Sequence, residues 1–154
     1  MSMFYGAPFV VPTSLATAAD YTDWTKTAAP ANAAAILRGC TSLVLEATEG
    51  NIYTVDPATG VATDPIVRNA LRDAVCIQAA AWVALGIDPA TGGVQQSSKA
   101  VKSKRLASGA IEYSDAEVQS TVKARAAAYT SLVPEAVRFL QQRNLLGVSP
   151  VPYG

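Results

Sequence analysis

The sequence predicts an all-α fold: a small bundle of about four to five helices, with a long loop or small β-hairpin between the third and fourth. Three stretches carry this. Residues 64–86 hold a complete helix signature, from capping residue to closing glycine. Residues 28–48 and 115–133 each carry an apolar stripe at helical spacing.

In chain order, residues 1–11 are apolar, with Tyr5, Gly6, Pro8 and Phe9, and show no helical period. They predict an extended N-terminal arm. Pro12-Thr13-Ser14 opens a short helix through about Trp24, with Leu15, Ala18, Ala19 and Tyr21 as inward candidates. A second helix starts at Ala28-Ala29-Pro30 and reaches about Thr48. Its stripe is Ala33, Ile36, Leu37, Cys40, Leu43, Val44 and Ala47. Glu49-Gly50-Asn51 ends it.

The third helix is the clearest. Asp64 caps the free N–H groups at its start, and Pro65 suits the first helical position. Gly86 takes the left-handed residue at the end, and Asp88-Pro89 prevents continuation. Val67, Ala70, Leu71, Ala74, Gln78, Ala81, Trp82 and Leu85 share one face. Arg68, Asn69, Arg72 and Asp73 give its first half a polar back. From Val75 to Leu85 the only polar side chain is Gln78, so this half is expected to be buried on all sides. The second and third helices are expected as an antiparallel core pair, with Ile36, Leu37, Leu43, Leu71, Trp82 and Leu85 at its centre.

Asp56-Pro57-Ala58-Thr59-Gly60 recurs as Asp88-Pro89-Ala90-Thr91-Gly92, with unrelated flanks. Asp, then Pro, then Gly is turn chemistry. A calcium loop needs more carboxylates at alternate positions. Residues 92–114 are the one long stretch without helical character. Lys99, Lys102, Lys104 and Arg105 fall there with no acid until Glu112. Residues 101–106 and 110–113 flank Ser108-Gly109 as a candidate hairpin. A long excursion of this kind is a solvated loop or a contact with DNA or a neighbouring subunit.

A fourth helix runs from Asp115 to about Val133, with Ser114 and Glu117 as a capping box. Val118, Val122, Ala126, Tyr129, Leu132 and Val133 form its stripe. Pro134 interrupts, and residues 135–146 resume as a final helix with Val137, Phe139 and Leu140 inward. The chain then reads Gly147-Val-Ser-Pro-Val-Pro-Tyr-Gly154, an extended C-terminal arm. Its Val148, Pro150, Val151, Pro152 and Tyr153 are better explained by docking than by solvation. The organisation is thus an arm (1–11), one helical domain (12–146) and a second arm (147–154).

Composition bounds the function. A chain of 154 residues fits one domain with a core of its own. Hydrophobic residues make up 50%, much of it alanine, which lets helices approach closely but contributes little burial per residue. Stability gained from partner subunits is therefore expected. Charged residues are only 16%, a surface suited to interfaces. Twelve basic and twelve acidic residues cancel, which argues against a general nucleic-acid binder. No apolar run approaches the ~18 residues of a membrane span.

Catalytic arrangements are not legible. There is no histidine, so Ser–His and Cys–His pairs are excluded, as is the commonest metal ligand. No glycine-rich phosphate loop occurs. Asp20 and Asp23 read as a solvated helix face. Cys40 and Cys76 are in no metal-ligand spacing and are expected as reduced, buried thiols, with no secretory leader to suggest an oxidising compartment. The expectation is a non-enzyme without metal or cofactor.

The order of segments resembles a known family. A short Pro-Thr-Ser-Leu helix ends near Trp24, and an alanine-rich helix follows. A tyrosine-containing linker leads to Thr63-Asp-Pro-Ile-Val-Arg-Asn-Ala-Leu-Arg-Asp-Ala-Val-Cys-Ile-Gln-Ala-Ala-Ala-Trp82. A Ser-Lys-Arg-Leu … Ile-Glu-Tyr-Ser segment comes next, then Leu132-Val133-Pro134-Glu135-Ala136. Residues 12–146 resemble the head-to-tail connector (adaptor, or head-completion) proteins of tailed bacteriophages, particularly of actinobacterial hosts. Residues 64–82 and 132–136 are the most specific parts. The resemblance implies a structural virion protein of the phage neck, assembled in the host cytoplasm as a ring, usually of twelve subunits. The ring sits beneath the portal, extends the DNA channel and links the filled head to the tail. Its implied partners are further copies of itself, the portal, downstream neck or tail proteins and, non-specifically, packaged DNA. A rival from another class is a small helical nucleic-acid-binding or regulatory protein using residues 99–105, against which the neutral charge and the lack of a helix-turn-helix signature count.

Overall fold

The helix over Pro65–Leu85 is the axis of the fold, and every other α-helix packs on it. In this computed structural model the described residues are 9–51, 53–91 and 111–146. They contain five α-helices: α1 (Ala18–Thr25), α2 (Ala33–Ala47), α3 (Pro65–Leu85), α4 (Ile111–Thr130) and α5 (Pro134–Gln142). A single 3-10 turn, Pro89–Thr91, follows α3 and touches α2. No strand occurs among the described residues, and Val55 and Ala62 form one isolated antiparallel bridge.

Both ends of α3 are fixed by its own sequence. The Asp64 carboxylate accepts the Ile66 N–H at 2.9 Å, and Pro65 supplies the first helical residue without wasting a donor. At the other end Gly86 has φ +71°, and the Ile87 N–H returns to the Trp82 carbonyl at 2.9 Å. Buried Ile87 completes this Schellman closure with an apolar contact.

Burial along α3 follows the expectation over most of its second half. Ala74 to Ala79 are all buried, Gln78 included. The expectation of burial all round fails beyond that point, because Val83 is 39% exposed and Ala84 faces solvent. Of the six expected core residues, Ile36, Leu37, Leu71 and Trp82 are buried, while Leu43 and Leu85 are half-buried at the edge of the cluster.

α2 and α3 make the most extensive pairing. The Asn32 side chain reaches Asp88 at 3.4 Å beyond the end of α3, and Gly39 lies against Trp82, so the pair is antiparallel. Gly39 is needed for approach: a Cβ there would stand 2.8 Å from the Trp82 ring. Of the expected stripe, Ala33, Ile36, Leu37, Cys40 and Val44 are buried, and Leu43 and Ala47 are half-buried.

The element boundaries differ from the sequence reading for local reasons. α1 begins at Ala18 rather than near Pro12. Thr17 and Asp20 form a reciprocal capping box at 3.1 and 2.9 Å, while the Leu15 N–H is taken by the buried Thr41 hydroxyl of α2. Ala18 and Ala19, expected inside, are consequently exposed, Tyr21 is buried as expected, and Ala16 is buried in addition. α2 begins at Ala33, because Pro30 to Ala33 close a tight turn first. α4 begins at Ile111, so Ser114 and Asp115 lie within the helix and do not cap it. Residues 111–113, expected as the second strand of a hairpin, are helical; its first strand lies outside the described residues. α5 stops at Gln142, where Asn144 takes φ +58° and buried Leu145 donates to the Leu140 carbonyl at 2.9 Å. Asn144 thus supplies the left-handed residue that ends the helix four residues short of the expected Leu146.

The two Asp-Pro-Ala-Thr turns share one device. In each the Asp Oδ1 accepts the Ala N–H two residues on, at 2.9 Å for Asp56 and 3.0 Å for Asp88.

Candidate interaction surfaces

Polar chemistry inside the bundle converges on Gln78. Its Nε2 donates to the carbonyls of Ala128 (2.8 Å) and Ser131 (3.0 Å), and its Oε1 accepts the Val133 N–H (2.8 Å). The Trp82 indole N–H, one turn later, donates to the same Ala128 carbonyl at 2.7 Å. The last turn of α4 leaves carbonyls without helical partners, and Pro134 cannot extend the helix to satisfy them. Two side chains of α3 perform that capping across about fifty residues of sequence. Tyr129 stacks on Trp82 at 5.4 Å and shields the bonds from water. The site is thus a rigid corner between α4 and α5, and all of Gln78's bonds there are spent on backbone.

Arg125 makes the other polar tie. Its Nε donates to the Leu85 carbonyl at 2.9 Å, placing a cation at the negative end of α3.

The cysteines carry no accessible chemistry. Cys40 and Cys76 are fully buried free thiols. Burial pushes Cys76 up to about 12, with lesser help from Asp20 and Asp73, and raises Cys40 further still. A thiol held protonated is a poor nucleophile. Among the described residues no three His, Cys, Asp or Glu side chains converge as metal ligands, and no helix is long and apolar enough to cross a membrane.

Three outward features remain. Phe9 and Val11 stand 92% and 67% exposed beside the turn at Gly60. Trp24 packs edge-on against Phe139 at 5.8 Å, and the Arg143 guanidinium covers the other ring at 3.6 Å. A groove of about 310 Å3 opens between α2 and α5, lined by the apolar side chains of Leu43, Ala47, Leu132, Val137 and Leu146 and by polar Glu46, Thr130 and Ser131. The Phe139–Arg143 spacing of four residues was open to sequence reading. Trp24 and the groove were not, because their partners are distant in sequence.

Of the residues expected to make contacts, Lys99, Lys102, Lys104 and Arg105 lie outside the described residues, as do Val148, Pro150, Val151, Pro152 and Tyr153. Of the expected stripe of α4, Tyr129, Leu132 and Val133 pack half-buried against the core, but Val122 and Ala126 are exposed, and Ala128 and Arg125 turn inward in their place. No family model matches this sequence, and neither a curated protein nor a solved structure matches it.

Proposed function

We propose that the chain is a structural protein of the tailed-phage neck, a ring-forming connector that docks beneath the portal, extends the DNA channel and joins the DNA-filled head to the tail. The observation that carries this reading is the pattern over residues 12–146 that resembles connector proteins. Its two most specific segments, 64–82 and 132–136, meet in the corner built by Gln78 and Trp82. A part whose polar groups are all spent on holding helices suits a structural role. In this reading the protein is a non-enzyme, needs no cofactor, and resides in the virion after assembly in the host cytoplasm.

The partners follow from the arms and the basic segment. Val148, Pro150, Val151, Pro152 and Tyr153 dock on the portal or an adjacent subunit. Lys99, Lys102, Lys104 and Arg105 repeat around the ring axis and meet a neighbouring neck protein, in preference to the packaged DNA. Many weak contacts add through a ring, so no single loop must bind tightly.

The test is the mass of the chain by size-exclusion with light scattering, alone and with purified portal. A ring complex with portal at physiological salt is expected. DNA binding at that salt without any portal complex would instead favour a nucleic-acid-binding protein. Replacing the four basic residues with serine then separates the two contacts. Failed tail joining without DNA leakage is expected; leakage from filled heads with normal ring assembly would assign the segment to the channel.

A further inference from the structure

The groove between α2 and α5 is an unfinished piece of core. Leu43, Leu132, Val137 and Leu146 are each half-buried around it, and all four side chains are aliphatic. Leu146 is both a lining residue and the end of the described chain. It is held at the rim by buried Leu145 and by the Asn51 amide, which donates to the Leu145 carbonyl. Gly-Val-Ser-Pro-Val-Pro-Tyr-Gly follows, with no charged side chain among those eight residues.

We propose that in the free subunit this groove is the seat of the same chain's residues 148–153. Reach is sufficient, since an extended chain covers about 3.3–3.6 Å per residue and this segment starts at the rim. Gly147, next after the rim, lacks the Cβ that restricts other residues and so leaves the following chain a wide choice of direction. The chemistry matches: Val148 and Val151 are aliphatic like Leu43, Leu132, Val137 and Leu146, and Ser149 is polar like Thr130 and Ser131 at the same groove. The segment brings no acidic side chain to oppose Glu46, and the Tyr153 hydroxyl is a donor for that carboxylate. Pro150 and Pro152 reduce the entropy lost on ordering. Tethering gives the arm an effective concentration in the millimolar range, which favours its own groove over that of a second copy in dilute solution. The inference does not rest on the neck reading. A portal or neighbouring subunit would compete for the same arm.

The test uses the full chain carrying a nitroxide on Ser149→Cys; Cys40 and Cys76 are buried, so the label goes to position 149. Broadening of the amide resonances of Ala47, Leu132 and Val137 is expected, persisting on dilution. A mixture of labelled chain with isotope-enriched unlabelled chain should show none. Absence of broadening in the labelled chain overturns the proposal. Broadening in the mixture also overturns it, and assigns the groove to a second copy's arm. As an independent readout, the chain ending at Gly147 should melt about 2–4 °C lower; an unchanged Tm counts against seating.

Discussion

α3 and α4 are nearly equal in length, at 21 and 20 residues, and both are rich in alanine, yet they sit in opposite surroundings. Six consecutive residues of α3, Ala74 to Ala79, are buried. In the described part of α4 only Ala128 is buried. Alanine content therefore does not decide burial. The large and polar side chains between the alanines decide it. α3 carries Leu71, Val75, Ile77 and Trp82 to fill the core, and Gln78 to satisfy what it meets. α4 is held by polar ties at Arg125 and at its own last carbonyls, with Tyr129 on Trp82, and between residues 119 and 130 its other side chains, Ala128 aside, face outward.

Removing the apolar half of the joint should have the largest effect. Trp82→Ala deletes the ring packed on Gly39 and Tyr129 together with the bond to Ala128. A loss of ~3–5 kcal/mol is expected by urea unfolding. An unchanged melting temperature would show that α3 is not the centre of the fold.

Removing the polar half comes next. Gln78→Ala strips three hydrogen bonds and leaves the Ser131 carbonyl and Val133 N–H buried or half-buried without that partner. Unmade bonds of this kind cost about 1–3 kcal/mol each, and water entering the vacated space recovers part. A loss of about 2–4 kcal/mol is expected, accompanied by faster amide exchange at Val133 relative to Val44. Uniform exchange across both positions would mean that Gln78 does not hold the α4–α5 corner.

These two side chains also show where sequence reading stops. α3 was legible from end to end because its cap, its proline, its stripe and its closing glycine are all local. The importance of Trp82 was legible from its place on that stripe. Gln78 stood out as the lone polar residue, but its partners lie 50 to 55 residues away and were invisible. Small polar residues were illegible for the same reason. Thr17, Thr41 and Asn144 each had several local options, and tertiary contacts chose among them. The α4 stripe held at Tyr129, Leu132 and Val133 but failed at Val122 and Ala126, because periodicity records which residues can face inward, whereas that part of α4 is anchored by an arginine and by backbone carbonyls. The groove was illegible because α2, the α4–α5 turn, α5 and Leu146 each contribute only one to three side chains.

Alkaline pH offers a smaller perturbation of the α2–α3 side of the comparison. Cys40 and Cys76 keep their protons in the native state past the usual thiol range, while the unfolded chain releases them near pH 9. Between pH 9 and about 12 the native state therefore binds more protons than the unfolded one, and stability falls as pH rises. Below pH 9 the two thiols contribute no pH dependence. The urea midpoint should fall less between pH 8 and pH 10.5 in the Cys40→Ala, Cys76→Ala double variant than in the parent. An equal fall in both would assign the alkaline loss to other groups.

The smallest effect should come from the outward face of α4. Val122 is 39% exposed, and Ala126 and Ala127 near it face solvent. Serine at position 122 gives up part of one partly solvated side chain and opens no cavity, because one side of the site is already water. The expected change in stability is within about 0.5 kcal/mol, the range of ordinary surface substitutions. That places Val122→Ser roughly tenfold below Trp82→Ala in energy, in helices of almost the same length and alanine richness. A loss above about 1.5 kcal/mol would require Val122 to be covered in solution. Its dependence on protein concentration would then separate the possible covers. A loss that vanishes on dilution means a second copy packs on α4, while a constant loss means the cover belongs to the same chain.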